Sequence, residues 1–77
     1  MSLEDLRKEI DEIDNIIIEN LSKRKLLSIK IGEIKKELGF GIYDSEREKQ
    51  LKLFYKNLSH KFDLDPKFVM DIFNLII

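Results

Sequence analysis

The sequence predicts an all-α fold of three helices, one long, one medium and one short. Three observations carry this. Residues 3 to 38 contain no proline and one glycine, Gly32, and their apolar residues recur at steps of mostly three and four. Helix start and stop residues fall at the ends of that stretch and around two later ones. The composition favours Ile, Leu, Lys and Glu, as helix-rich chains do.

The first helix carries Leu3, Leu6, Ile10, Ile13, Ile17, Leu21, Leu27, Ile31, Ile34 and Leu38 on one stripe. Ser2 is placed to cap its start, and Gly39 sits where a terminating glycine belongs. The segment from Gly39 to Tyr43 reads as a loop. Asp44 or Ser45 then caps a second helix, and Ser45 with Glu48 matches a capping box. That helix should run to about His60, with Leu51, Phe54, Leu58 and Phe62 on its stripe. Asp65 is a natural N-cap and Pro66 suits the first turn of a third helix, whose Val69, Ile72, Phe73 and Ile76 share one face. Tyr43, Tyr55 and the phenylalanines read as core or loop packing, and His60 as a helix-end residue that suits the dipole. Asp11 and Asp14 belong on the solvated flank of the first helix.

Length then constrains assembly. A 77-residue chain buries only about 60% of its unfolded surface. It has no cysteine for a disulfide, and no metal-ligand spacing surrounds its single histidine, His60. Oligomerisation is the stabilising device that remains. A helix of this length spans about 54 Å, whereas a compact domain of this size has a radius of gyration of about 11–12 Å. The long stripe therefore needs a second chain, or the helix must break. The expectation is a homodimer with the long helices side by side.

Charge and hydropathy exclude other classes. Fourteen basic and fifteen acidic residues are interspersed, for a net charge of −1. No basic face offers itself to nucleic acid. No apolar run, Ile16-Ile17-Ile18 included, exceeds three residues, far too short to span a membrane. The N-terminus is charged from Glu4 onward, unlike a signal peptide, and the lack of cysteine fits a reducing cytoplasm.

The informative residues are polar. At 100° per residue, Arg24 falls at the angle of Leu6 and Lys35 at the angle of Ile17, inside the apolar stripe, and Ser28 shares that face. In the second helix Arg47 lies between Leu58 and Phe54 in angle. A buried charge is paired or bound to something, and arginine does not deprotonate. The three cations either snorkel, pair with internal acids, or line a hollow that holds an anion. Cysteine, a histidine pair and a glycine-rich phosphate loop are all missing. A cluster of Arg and Lys suits planar carboxylates. It can catalyse by orienting a substrate and stabilising developing charge, with no metal or cofactor.

Several stretches resemble the all-helical chorismate mutases. They are Leu6-Arg7-Lys8-Glu9-Ile10-Asp11-Glu12-Ile13-Asp14, Lys23-Arg24 with Ile31-Gly32-Glu33-Ile34-Lys35, and Tyr43-Asp44-Ser45-Glu46-Arg47-Glu48-Lys49. Leu64-Asp65-Pro66 and Ile72-Phe73-Asn74-Leu75-Ile76-Ile77 fit that family's third helix. The resemblance covers essentially the whole chain. It implies an intertwined homodimeric helical bundle that rearranges chorismate to prephenate in a cytoplasmic pathway to phenylalanine and tyrosine. Arg7 is then expected to reach a substrate carboxylate in the partner's site, Arg24 to hold a carboxylate within its own chain, and Lys35 to contact the ether oxygen. Glu48 is expected to accept from the ring hydroxyl with the backbone near Asp44 close by, and Arg47 to support the carboxylate end and Glu48. Angles alone nominate Arg24, Lys35 and Arg47. Arg7 lies about 100° from the stripe centre, and only the resemblance nominates it. The resemblance also implies one mutase domain over residues 1–77 that lacks the end of its third helix, where a Gln or Glu and a small hydroxyl residue would lie.

Three other readings use the same residues. The chain could be an isochorismate pyruvate-lyase, although Asp44 and Glu48 lean towards a mutase. It could be a regulatory domain that binds chorismate or prephenate for a larger enzyme. It could be a plain helical dimerisation module. All of them require association. Light scattering on the folded chain is expected to give twice the 9.2 kDa chain mass. A folded monomer at micromolar concentration would refute the length argument.

Overall fold

The computed structural model describes residues 1–39 and 45–76. It contains the expected helices: α1, Leu3–Leu38; α2, Ser45–Lys61; and α3, Pro66–Ile76. No strand occurs among the described residues. The chain divides into two compact units, Met1–Phe40 and Gly41–Ile77. The expected loop through Tyr43 and the cap at Asp44 lie outside the described residues.

The first unit is α1, a helix of 36 residues. Ser2 caps it in a reciprocal box: the Asp5 amide donates to Ser2 Oγ at 3.1 Å, and the Ser2 amide donates to Asp5 Oδ2 at 3.2 Å. Gly39 ends it in the left-handed region at φ 76°, its amide donating to the carbonyls of Lys35 and Lys36. A side chain would be strained at that φ, so glycine sets the end of α1 and leaves Lys35 in the last turn. Acids occupy the first turn and lysines the last, which complements the helix dipole. The polarity extends along the whole helix. Residues 1–20 hold seven acids and two bases, and residues 21–39 hold six bases and two acids.

No residue of α1 is buried. Its apolar stripe is exposed from Leu3 to Leu38. Helices in proteins owe most of their stability to the packing of such a face.

The second unit is a hairpin of α2 and α3. Tyr55 stacks on Phe73 at 4.2 Å between ring centroids, with an interplanar angle of 22°. Tyr55 is 4% exposed, Ser59 1% and Val69 9%. The buried hydroxyl of Ser59 donates to the Tyr55 carbonyl at 2.6 Å, so its burial leaves no unpaired polar atom. The buried face of α2 is therefore centred on Tyr55 and Ser59, rotated by roughly 60° from the Leu51, Phe54, Leu58, Phe62 stripe expected from hydropathy. Leu51 and Leu58 are half-buried, whereas Phe54 and Phe62 are exposed. A small serine and a flat tyrosine ring let α3 approach closely, which hydropathy does not register.

The turn between the two helices is fixed by backbone hydrogen bonds. The Leu64 amide donates to the Ser59 carbonyl at 2.8 Å and the Asp63 amide to the His60 carbonyl at 3.3 Å. With Asp63 at φ 56°, this is a Schellman closure. Asp65 caps α3 as expected, its carboxylate accepting from the Lys67 amide at 3.0 Å. Ser45 is the first residue of α2 and not a cap preceding it, so the expected Ser45–Glu48 box has no counterpart among the described residues. Asp63 is the non-glycine residue with positive φ among the described residues. Asp63→Gly is expected to raise the unfolding free energy by about 0.5–1 kcal/mol by relieving that conformation. Urea unfolding at fixed chain concentration measures it, and a loss of stability would contradict it.

Candidate anion-binding site

The stripe of α1 changes character along its length. Stepping by three and four, it reads Leu3, Leu6, Ile10, Ile13, Ile17, Leu21, and then Arg24, Ser28, Ile31, Lys35. The N-terminal part is wholly apolar. The C-terminal part carries two cations and a hydroxyl. Arg24 and Lys35 are half-buried, and every other residue of α1 is exposed.

Ion pairs among the described residues include Lys23–Glu19 at 3.5 Å and Lys67–Asp71 at 3.3 Å, both exposed pairs one helical turn apart. Such pairs contribute about 0–1 kcal/mol. Neither involves a stripe residue. Among the described residues, Arg24 and Lys35 have no acidic partner within the chain. Within α1, therefore, no ion pair neutralises these two charges. Lys35 gains some support from its position, since a cation in the last turn faces the negative end of the helix dipole. Arg7 is exposed on the flank of α1, in the acidic half.

In the second unit, Arg47 and Glu48 lie in the first turn of α2. Glu48 is half-buried. Arg47 is exposed, contrary to the expectation that it shares a buried stripe. The rotated packing face of α2 explains this, because Arg47 stands roughly 80–120° away from Tyr55 and Ser59. Asp44 lies outside the described residues. The hairpin also holds a pocket of about 210 Å³, lined by Tyr55, Ser59, Phe62, Phe68, Val69 and Phe73 among others. No charged residue lines it, so it is built for apolar groups and not for a carboxylate. Among the described residues, no group of three or more His, Cys, Asp or Glu comes together as a metal site.

The α1 face thus offers two permanent cations about 16 Å apart along the axis, on an apolar surface and without acids of their own. It carries no cysteine, histidine or carboxylate. Such a face can grip carboxylates and stabilise negative charge that develops on an oxygen.

Comparison with known proteins identifies the family. The chorismate mutase type II family matches residues 6–77. The chain is 37% identical over 75 residues to a chorismate mutase of Methanocaldococcus jannaschii, covering 97% of this chain and 76% of that protein. It is 41% identical over 71 residues to a bifunctional chorismate mutase/prephenate dehydratase of Buchnera aphidicola subsp. Schizaphis graminum, covering 92% of this chain and 18% of that protein. It is 28% identical over 72 residues to the T-protein of Enterobacter agglomerans, covering 94% and 19% respectively. The chain therefore spans less than a fifth of the length of these two longer relatives. No solved structure matches.

A charge retained on an apolar face for binding costs stability. Lys35→Met is expected to stabilise the folded assembly by about 1 kcal/mol while weakening its affinity for small dicarboxylates. Thermal unfolding with and without such a ligand reads both. Unchanged ligand stabilisation in the variant would remove Lys35 from the site.

Proposed function

The chain belongs to the type II chorismate mutase family, and we propose that this chorismate mutase converts chorismate to prephenate in a site shared between two copies. In this pericyclic step the ether C–O bond breaks as a C–C bond forms. No proton moves and no covalent enzyme intermediate arises, so no cofactor is required. Negative charge grows on the ether oxygen as its bond to carbon lengthens. The observation that carries the reading is the pair Arg24 and Lys35, half-buried on an apolar stripe with no acid of their own.

Arg24 holds one substrate carboxylate, and Lys35 sits beside the ether oxygen. Because charge on that oxygen is larger in the transition state than in the substrate, Lys35 favours the transition state selectively. Glu48 accepts from the ring hydroxyl, with the backbone at Asp44 alongside, and Arg47 supports Glu48 and the carboxylate end. Residues 1–77 act as one mutase domain. The Arg and Lys grip keeps the dianion in the compact conformer from which the bond forms.

The second copy covers α1 and completes the site. The acidic N-terminal and basic C-terminal halves of α1 favour an antiparallel pair, in which each acidic half lies on a basic one. A two-fold pair crossing at the midpoint of Leu3–Leu38 puts the partner's Arg7 opposite about residue 34, within a turn of Lys35. This supports a contribution of the partner's Arg7 to the carboxylate end, although its own helical angle does not suggest one. Among the described residues no helix is long and apolar enough to cross a membrane. A cysteine-free chain suits the reducing cytoplasm.

Lys35→Ala is expected to lower chorismate turnover by about 10²–10³-fold, by analogy with the loss of an oxyanion donor, with the dimer still folded. Turnover equal to wild type would end the role given to Lys35. Sharing of the site has its own test. Arg7→Ala and Arg24→Ala chains are each expected to be nearly inactive. After refolding together they should recover about a quarter of wild-type activity, because mixed dimers keep one intact site. No recovery would place Arg7 in the same site as Arg24 of its own chain.

A further inference from the structure

We infer that Ser28 is a substrate-positioning residue, its hydroxyl donating to the carboxylate that Arg24 grips. The inference rests on the mutase reading and adds a residue to the same site. Ser28 lies one turn after Arg24, about 6 Å along the axis, and about 10 Å before Lys35. It is the uncharged polar residue of the stripe, whose other members from Leu3 to Lys35 are Leu, Ile or the two cations. Its angle, 40° from that of Arg24 and 20° from that of Lys35, keeps all three groups on one face.

Its hydrogen bonding separates it from an ordinary helical serine. A serine inside a helix commonly turns its hydroxyl back to the carbonyl four residues earlier. Ser59 does so, donating to the Tyr55 carbonyl at 2.6 Å in a buried setting. Among the described residues, Ser28 makes no such bond and has no other partner. It is exposed in the single chain, but it stands on the stripe that a second copy covers. A covered hydroxyl without a partner is destabilising, and alanine is the better helix former. The group that would satisfy it is the anion bound by its two neighbours. A carboxylate held side-on by a guanidinium still has lone pairs free for a third donor.

A donor to a carboxylate that is equally charged in substrate and transition state contributes uniform binding. Its removal is therefore read in KM. Ser28→Ala is expected to raise KM for chorismate by about three- to tenfold, the range for one hydrogen bond, with kcat changed by less than about twofold. Circular dichroism melting should show the variant as stable as wild type or more so. Isothermal titration with a non-reacting dicarboxylate analogue should show the same weakening without turnover. A serine retained only as a small spacer predicts that alanine leaves KM and analogue affinity unchanged, and that outcome overturns the inference. A wild-type chain that neither consumes chorismate nor binds the analogue overturns the mutase reading itself and Ser28 with it. Wild-type turnover with an indifferent Ser28→Ala overturns Ser28 alone.

Discussion

A helix of 36 residues with no buried side chain is the constraint from which the other features follow. Its stripe is long, continuous and apolar, and water cannot remain its permanent neighbour. The hairpin of α2 and α3 is far shorter than α1 in either of its helices. In the proposed dimer, covering the stripe with a second copy joins folding to association and makes the site a product of both chains. A chain this small then obtains a water-poor hollow without enclosing one alone. The charges are tolerated for the same reason. Arg24 and Lys35 destabilise a stripe that packs only against apolar side chains, and they become useful when a dianion takes the place of the missing acids.

Much of the fold was legible in the sequence, and the successes share a cause. The bounds of α1, its Ser2 cap, its Gly39 terminus and the Asp65–Pro66 start of α3 all rest on backbone chemistry that few residue types satisfy. The failures share a cause as well. The stripe expected on α2 runs through Leu51, Phe54, Leu58 and Phe62, of which Leu51 and Leu58 are half-buried, but the structure centres the packing face on Tyr55 and Ser59. Hydropathy ranks residues one at a time. It does not see that a serine with its hydroxyl turned to the backbone packs as a small apolar group, or that a tyrosine ring can stack on Phe73. The end of α2 expected near His60 falls at Lys61, after which the Schellman turn at Asp63 reverses the chain.

The candidate site was legible in unequal parts. Arg24 and Lys35 stand out because they break a periodic apolar pattern, and their half-burial without acids agrees with that signal. Arg47 was nominated by the same logic, but the packing face it was assigned to turned out to be rotated, so its case rests on the family pattern. Arg7 produces no signal in the periodicity of its own chain. In the proposed dimer Arg7 serves the other copy's site, and a residue in that role need not lie on a buried face of its own helix, so single-chain patterns miss it. The charge polarity of α1 offers a partial substitute, since it indicates which end of one helix meets which end of the other.

The hairpin has a consequence for the order of events in assembly. Its stacked rings, its Schellman turn and its capped third helix all link residues close together in the chain, and contacts of that kind form fast. The second unit can therefore mature within a newly made polypeptide before any partner arrives. In the proposed dimer, what remains is the meeting of two long helices, a second-order event whose rate scales with the square of chain concentration. Expression level, more than intrinsic folding speed, then governs how quickly working sites accumulate.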